Sequence, residues 1–261
     1  SILGTSHDPH DGDADAPHGT AAHVEHLLAD ARSAFPRATF LPGLVRLVHR
    51  GLLPMVGAAG AAVSLLKESA VVDHARDGHP GVLSIFSVRY TTARHTASAA
   101  VDAACTALGR PVGASVTATT RMSSAGFTTL RGLVDEARRA EFPGTTPELR
   151  ERLALTYGSH LAEVLAIVRD EADTARPLSA ACATTRAEVL HATRHEAAVT
   201  LADAVARRTE AGTRGHPGRE ALAAAAQVMA GVLGWPPDRM VTEIRRVDEM
   251  YPRGGGAGLE D

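Results

Sequence analysis

Between Gly81 and Leu108 the spacing of apolar residues switches from that of a strand to that of a helix, and this constrains the fold more than any other stretch. Val82, Leu83, Ile85 and Phe86 form a short apolar run behind Pro80-Gly81, the pattern of a strand buried on both faces. A buried piece of helix has the same pattern, so periodicity alone leaves both open. Beyond the turn, Ala97, Ala100, Val101, Ala104, Cys105 and Leu108 recur every three to four residues, which predicts a helix with Thr91 or Thr92 placed to cap it. Gly109 and then Pro111 end it. A strand feeding a helix N-terminus aims unpaired N–H groups at one point, where an anion or an electron-rich ring edge can sit. The same junction also serves as a purely structural turn.

Upstream, Ile2-Leu3-Gly4 reads as a strand whose sheet partners lie further upstream, and Ser1 to Gly19 otherwise as loop. Thr20 can cap a helix carrying Val24, Leu27, Leu28, Ala31 and Phe35, stopped by Pro36. Pro42 to Val56 is a shorter helical piece broken by Gly51 and Pro54, Gly57 to Ala62 a small-residue loop, and Val63 to Val72 a returning strand. Ser, Thr and Ala dominate 114–126, which reads as a linker, and a short helix is expected over 126–140. Further helices are expected from Pro147 through Val168, Arg186 to Arg208, Arg219 to Leu233 and from Pro236-Pro237-Asp238 to Tyr251, with a disordered glycine-rich tail from Arg253.

Abundant Ala and Arg support a helix-rich chain, and with aromatics at 3% the core must be built from Ala, Val and Leu. A net charge of −3, with no basic block longer than a pair such as Arg207-Arg208, gives no reason to expect nucleic acid. Cys105 and Cys182 cannot form a disulfide framework and fit small buried hydrophobes in a reduced cytosol. The uncharged run Gly51 to Leu66 is too short and too rich in Gly and Pro to span a bilayer. The Asp and His residues between His7 and His18 match no metal-ligand spacing, and His191 with His195 lacks a third ligand, so no metal is expected. Glu196, Asp203, Arg207 and Arg208 fit i, i+4 pairs and contacts between helices. Lys67 is the only lysine in the chain.

Several segments resemble, in order, the back part of FAD-dependent (aerobic-type) glycerol-3-phosphate dehydrogenases. Ser87-Val88-Arg89-Tyr90-Thr91-Thr92 stands where that family has Gly-Gly-Lys-x-Thr-Thr before a helix, with the turn against the isoalloxazine. Gly4-Thr5-Ser6-His7-Asp8-Pro9 followed by Gly12-Asp13 is similar to its Gly-Thr-Thr-Asp-x-Pro and Gly-Asp, with His7 in place of Asp. His23 to Pro36 looks like the helix that ends in Phe-Pro, and Arg50 to Pro54 falls on Gly-Leu-Arg-Pro, with Leu53 in place of a substrate-contacting arginine. Leu66-Lys67-Glu68 falls on Ser-Arg-Glu. Arg194 to Asp203, Arg207-Arg208-Thr209 and Leu233-Gly234-Trp235 resemble the family's C-terminal helical domain.

The resemblance implies an α+β chain: a remnant of a flavin and substrate domain β-sheet with helices over residues 1–113, a linker over 114–126, an all-α helical bundle over 127–252 and a tail over 253–261. It implies FAD, with cofactor contacts at Ser87, Val88, Arg89, Tyr90 and Thr91 and substrate contacts at Arg89 and Lys67; no catalytic residue is assigned. No Gly-x-Gly-x-x-Gly follows a strand near residue 1, so the pyrophosphate-binding half is expected to be absent from this chain, which alone should be incompetent; the chain is then either the C-terminal part of such an enzyme or the partner of a separate N-terminal flavin half. The implied reaction is oxidation of glycerol 3-phosphate by hydride transfer to flavin, in the cytoplasm or peripherally at the inner membrane face. Two alternatives stand beside it: a non-catalytic relative acting as a helical interaction module, and a related flavoenzyme with a non-phosphorylated substrate. Oligomeric state is not legible.

Overall fold

The computed structural model describes residues 2–10, 12–13, 21–56, 64–110 and 112–252. It is an α+β chain dominated by helices, and its described strands form three two-stranded antiparallel sheets. The chain divides into two compact units.

The smaller unit comprises His7–His18 and Arg50–Arg121. In it β1 (Met55–Val56) pairs with β2 (Ser64–Leu65), and β3 (Ala70–Asp73) pairs with β4 (Leu83–Phe86) in the register Ala70 to Phe86 and Asp73 to Leu83. Helix α2 (Ala93–Ala107) packs on the β3–β4 ribbon and buries Thr96 and Ala100, the only two buried residues among those described in this unit. The expectation of a strand buried on both faces is therefore corrected. The apolar run does form β4, but with a single partner strand, and Ile85 and Phe86 are 53% and 42% exposed. A two-stranded ribbon has too few neighbours to cover both faces. Two strands, not one, return between Val63 and Val72, and Val63 itself lies outside the described residues.

The larger unit comprises Ser1–Ser6, Gly19–His49 and Met122–Asp261. Residues 2–6 take no regular structure, so the strand expected at Ile2 to Gly4 is not formed, and a strand without a partner leaves its ladder groups unpaired. Helix α1 (Ala21–Ala34) buries Leu28 and Ala31. Its expected cap, Thr20, and the tail from Arg253 lie outside the described residues. The second helical piece expected from Pro42 reduces to the single 3-10 turn Pro42–Leu44, and the backbone is already extended at Val45 (φ −68°, ψ 122°), ahead of Gly51 and Pro54.

The bundle proper is α3 (Leu130–Arg139), α4 (Pro147–Tyr157), α5 (Leu161–Asp170), α6 (Arg186–His195), α7 (Arg219–Leu233) and α8 (Pro237–Asp248). A hairpin of β5 (Pro177–Ser179) and β6 (Cys182–Thr185), which the apolar pattern did not predict, leads into α6. Helix α6 lies between two apolar clusters. Val189 and Ala192 join one with α7, Trp235, Val247 and Tyr251, while Ala187 and Leu190 join the other with Leu153, Tyr157 and Val164. Burial on both sides forces its polar residues inward, and Glu188 and His191 are 0% and 3% exposed.

Two helices expected to be continuous are broken. Pro147 to Val168 stops at Gly158, whose φ of 55° and ψ of −129° suit glycine alone. Arg186 to Arg208 stops after His195, where Ala197 adopts a left-handed φ of 55° and the Ala198 amide reaches back to the Ala192 carbonyl at 3.1 Å. The chain restarts at a capping box: the Thr200 and Asp203 side chains each accept the other's backbone N–H, at 3.2 and 2.9 Å, ahead of a π-helical turn at Asp203–Arg208. Among the described residues no helix is long and apolar enough to cross a membrane.

Candidate functional site

The strand-to-helix junction singled out by its change of period lines a cleft. Beyond β4 the chain passes through Ser87, Val88 and the extended Arg89 (φ −150°, ψ 137°) into a 3-10 turn at Tyr90–Thr92, and α2 begins at Ala93. Neither threonine caps the helix as expected. The Thr92 hydroxyl donates to the Arg89 carbonyl at 3.1 Å, because the intervening turn points it back along the chain. That carbonyl also accepts the Thr92 amide at 3.3 Å, so the turn is closed twice at Arg89.

Across the cleft, pairing of β1 with β2 and a hydrogen bond from the Leu66 amide to the Pro54 carbonyl, 2.9 Å, bring Leu53 and Pro54 beside Leu65, Leu66 and Lys67. The cleft measures about 410 Å³ and is lined by these residues with Ser64, His7, Val88 and Arg89. That volume lies within the range of small-molecule sites. Its lining includes two cations and no carboxylate, and neither Lys67 nor Arg89 makes a side-chain hydrogen bond or ion pair among the described residues. Unpaired cations converging on a concave surface attract anions and offer charge-assisted donors to a phosphate or carboxylate.

Of the residues singled out in the sequence, Lys67, Val88 and Arg89 meet at this cleft, together with His7 and Leu53. Ser87, Tyr90 and Thr91 are exposed along the adjoining turn, Tyr90 completely so. The lining suits the edge of a flavin ring or an anionic substrate, with apolar contact from Leu53, Leu65, Leu66 and Val88 beside the cations. Among the described residues it contains no glycine to let a backbone approach a pyrophosphate closely.

In the helical unit His191, expected on the surface or in bundle packing, proves to be a packing residue. Its Nε2 lies 2.9 Å from Glu163 Oε2, its Nδ1 lies 3.8 Å from Glu196, and its ring meets Tyr157 edge-on at 5.3 Å. Glu163 in turn bridges to His160, 2.6 Å away. The His191 contact, followed by that of His160, draws the Glu163 carboxyl below its usual range. The i, i+3 spacing of His160 and Glu163 was the available signal for this pair; nothing local announced that His191 would join it. Asp203 and Arg207 make the expected i, i+4 bridge at 2.8 Å, while Arg208 instead donates to the Glu196 carbonyl.

Comparison with known proteins bears on the same segments. Residues 112–240 match the model of the C-terminal domain of alpha-glycerophosphate oxidase. These residues are similar to that domain. The chain is 29% identical over 90% of its length to glycerol-3-phosphate dehydrogenase 2 of Mycobacterium tuberculosis, covering 39% of that protein. It is 24% identical over 95% of its length to the glycerol-3-phosphate dehydrogenase of Synechocystis sp., covering 45% of it. The solved structure of the glycerol-3-phosphate dehydrogenase from Bacillus halodurans complexed with FAD has the same fold over 92% of this chain and 46% of that one, with a TM-score of 0.68 at 23% identity. The chain thus spans less than half the length of the relatives it matches.

Proposed function

We propose that the chain works as the C-terminal part of a FAD-dependent glycerol-3-phosphate dehydrogenase, its cleft taking the anionic group of the substrate beside the edge of the flavin. The observation that carries the reading is the pair Lys67 and Arg89, without a side-chain partner among the described residues and lining one cleft of about 410 Å³ at a strand-to-helix junction. FAD, when bound, supplies the hydride acceptor. Lys67 contributes a compact point charge for the phosphate and Arg89 a planar fork of donors. Ser87, Val88, Tyr90 and Thr91 continue the flavin-facing edge, and the pyrophosphate is held by the N-terminal part of the longer fold that the relatives share. The assembly belongs to glycerol metabolism in the cytoplasm, at most peripheral at the inner membrane face.

Titration of the chain with glycerol 3-phosphate, followed by NMR or calorimetry, tests the cleft. Saturable binding is expected, weakened about tenfold by either Lys67→Ala or Arg89→Ala, the worth of one charge-assisted contact. Dye reduction dependent on glycerol 3-phosphate, after pairing the chain with the flavin half of a relative, tests the reaction. Binding that ignores both substitutions removes the basis of the reading and leaves the helical unit as an interaction module.

A further inference from the structure

Away from the cleft, the helical unit assembles a second set of groups. The 3-10 turns Ser123–Ala125 and Gly158–His160 pack face to face, and a Cβ at Gly158 would sit 2.3 Å from the Ser124 carbonyl oxygen, so only glycine allows the approach. The approach brings Ser123 Oγ to 3.1 Å from His160 Nε2, while His160 Nδ1 lies 2.6 Å from Glu163 Oε1. A carboxylate only accepts, so Nδ1 carries a proton, and in that tautomer Nε2 turns a lone pair to the serine hydroxyl. The other Glu163 oxygen lies 2.9 Å from Nε2 of His191, whose side chain is 4% exposed, so the orienting carboxylate is itself anchored in the bundle. Ser123 is exposed and the His160 side chain is 33% exposed, so the pair is open to solutes. A hydroxyl within reach of an imidazole that a third group orients is the arrangement of an activated nucleophile.

We propose that Ser123 is a nucleophile for acyl transfer from small carboxylic esters, with His160 as its base and Glu163 and His191 as positioning residues. Ser123 Oγ bonds to the ester carbonyl carbon as its proton passes to His160 Nε2. The tetrahedral adduct then expels the alcohol oxygen, which takes that proton. Water adds to the acyl-serine by the same route, leaving a carboxylic acid and free Ser123. No oxidant or reductant enters, and the chemistry is separate from the cleft at Lys67 and Arg89.

The test treats the full chain with an alkyl fluorophosphonate and, separately, with p-nitrophenyl acetate, and maps the modified peptide by mass spectrometry. The expected result is one label per chain at Ser123, abolished by Ser123→Ala. His160→Ala should slow labelling about a hundredfold, and added imidazole should restore part of the rate. Glu163→Gln should slow labelling with the helical circular dichroism retained. Absence of label from Ser123, or a Ser123 rate unchanged by His160→Ala, overturns the proposal. Mapping of the unmodified chain decides the matter even if a variant fails to fold.

Discussion

Replacing Glu188 by Gln should destabilise the helical unit. Glu188 is wholly buried, and its carboxylate takes Arg152 in a two-pronged contact, Nη1 to Oε1 at 2.8 Å and Nη2 to Oε2 at 2.6 Å. Its Oε2 also accepts the Thr185 amide at 2.7 Å and the Thr185 hydroxyl at 3.0 Å, completing the capping box that starts α6. Removing one partner of a buried ion pair costs about 3–5 kcal/mol. The Arg152 side chain keeps 24% exposure and a bond to the Ala183 carbonyl, which places Glu188→Gln near the lower end, about 3 kcal/mol. Glu188→Ala should add about 1 kcal/mol for the lost cap. A loss of about 3 kcal/mol lowers Tm by roughly 6–12 °C in a unit of this size. Urea denaturation can be followed by the fluorescence of Trp235, the only tryptophan, which is buried in the α6–α7 cluster and so reports on this unit. A loss under about 1 kcal/mol, or simple additivity with Arg152→Leu in a double-mutant cycle, would refute the reasoning.

Acid should weaken the unit through Glu163. The His191 contact, then that of His160, depresses its folded pKa, so its contribution is present above the unfolded value and is lost as pH falls through the unfolded value to the lower folded one. Glu163→Gln should flatten that part of the stability profile, and superimposable profiles would count against the two-histidine contact. Gly158→Ala should cost about 2 kcal/mol or more, since it meets both a positive φ and the Ser124 carbonyl; an equilibrium melt within experimental error of wild type would show that the turn yields. Leu222→Ala, at a wholly buried position of α7, should cost about 2–5 kcal/mol without changing the urea m-value, and a changed m-value would point to a reorganised denatured state.

Much of the helical unit was legible because its signals are local. Pro147 opens α4 with Thr146 capping it, Gly234 closes α7 in the left-handed conformation, and the period from Arg219 to Leu233 runs unbroken. Helix breaks were harder to read where the stop is made by Ala197, a residue with no conformational signature, and where the restart at Thr200-Leu201-Ala202-Asp203 is a capping box inside an otherwise continuous helical pattern. The β5–β6 hairpin carries too few alternating residues to stand out.

Lys67 and Arg89 could be picked out by eye, one as the only lysine and the other as a cation between a strand and a helix, and the spacing of apolar residues determined which segments are helical, through interactions spanning three or four residues. Three-dimensional packing decided what those segments touch. It set Glu188 against Arg152, seated His191 between Glu163 and Glu196, and left Ile85 and Phe86 exposed on a ribbon with one partner strand. Burial and ion pairing depend on groups dozens of positions apart, and no local period records which of them the folded chain will bring together.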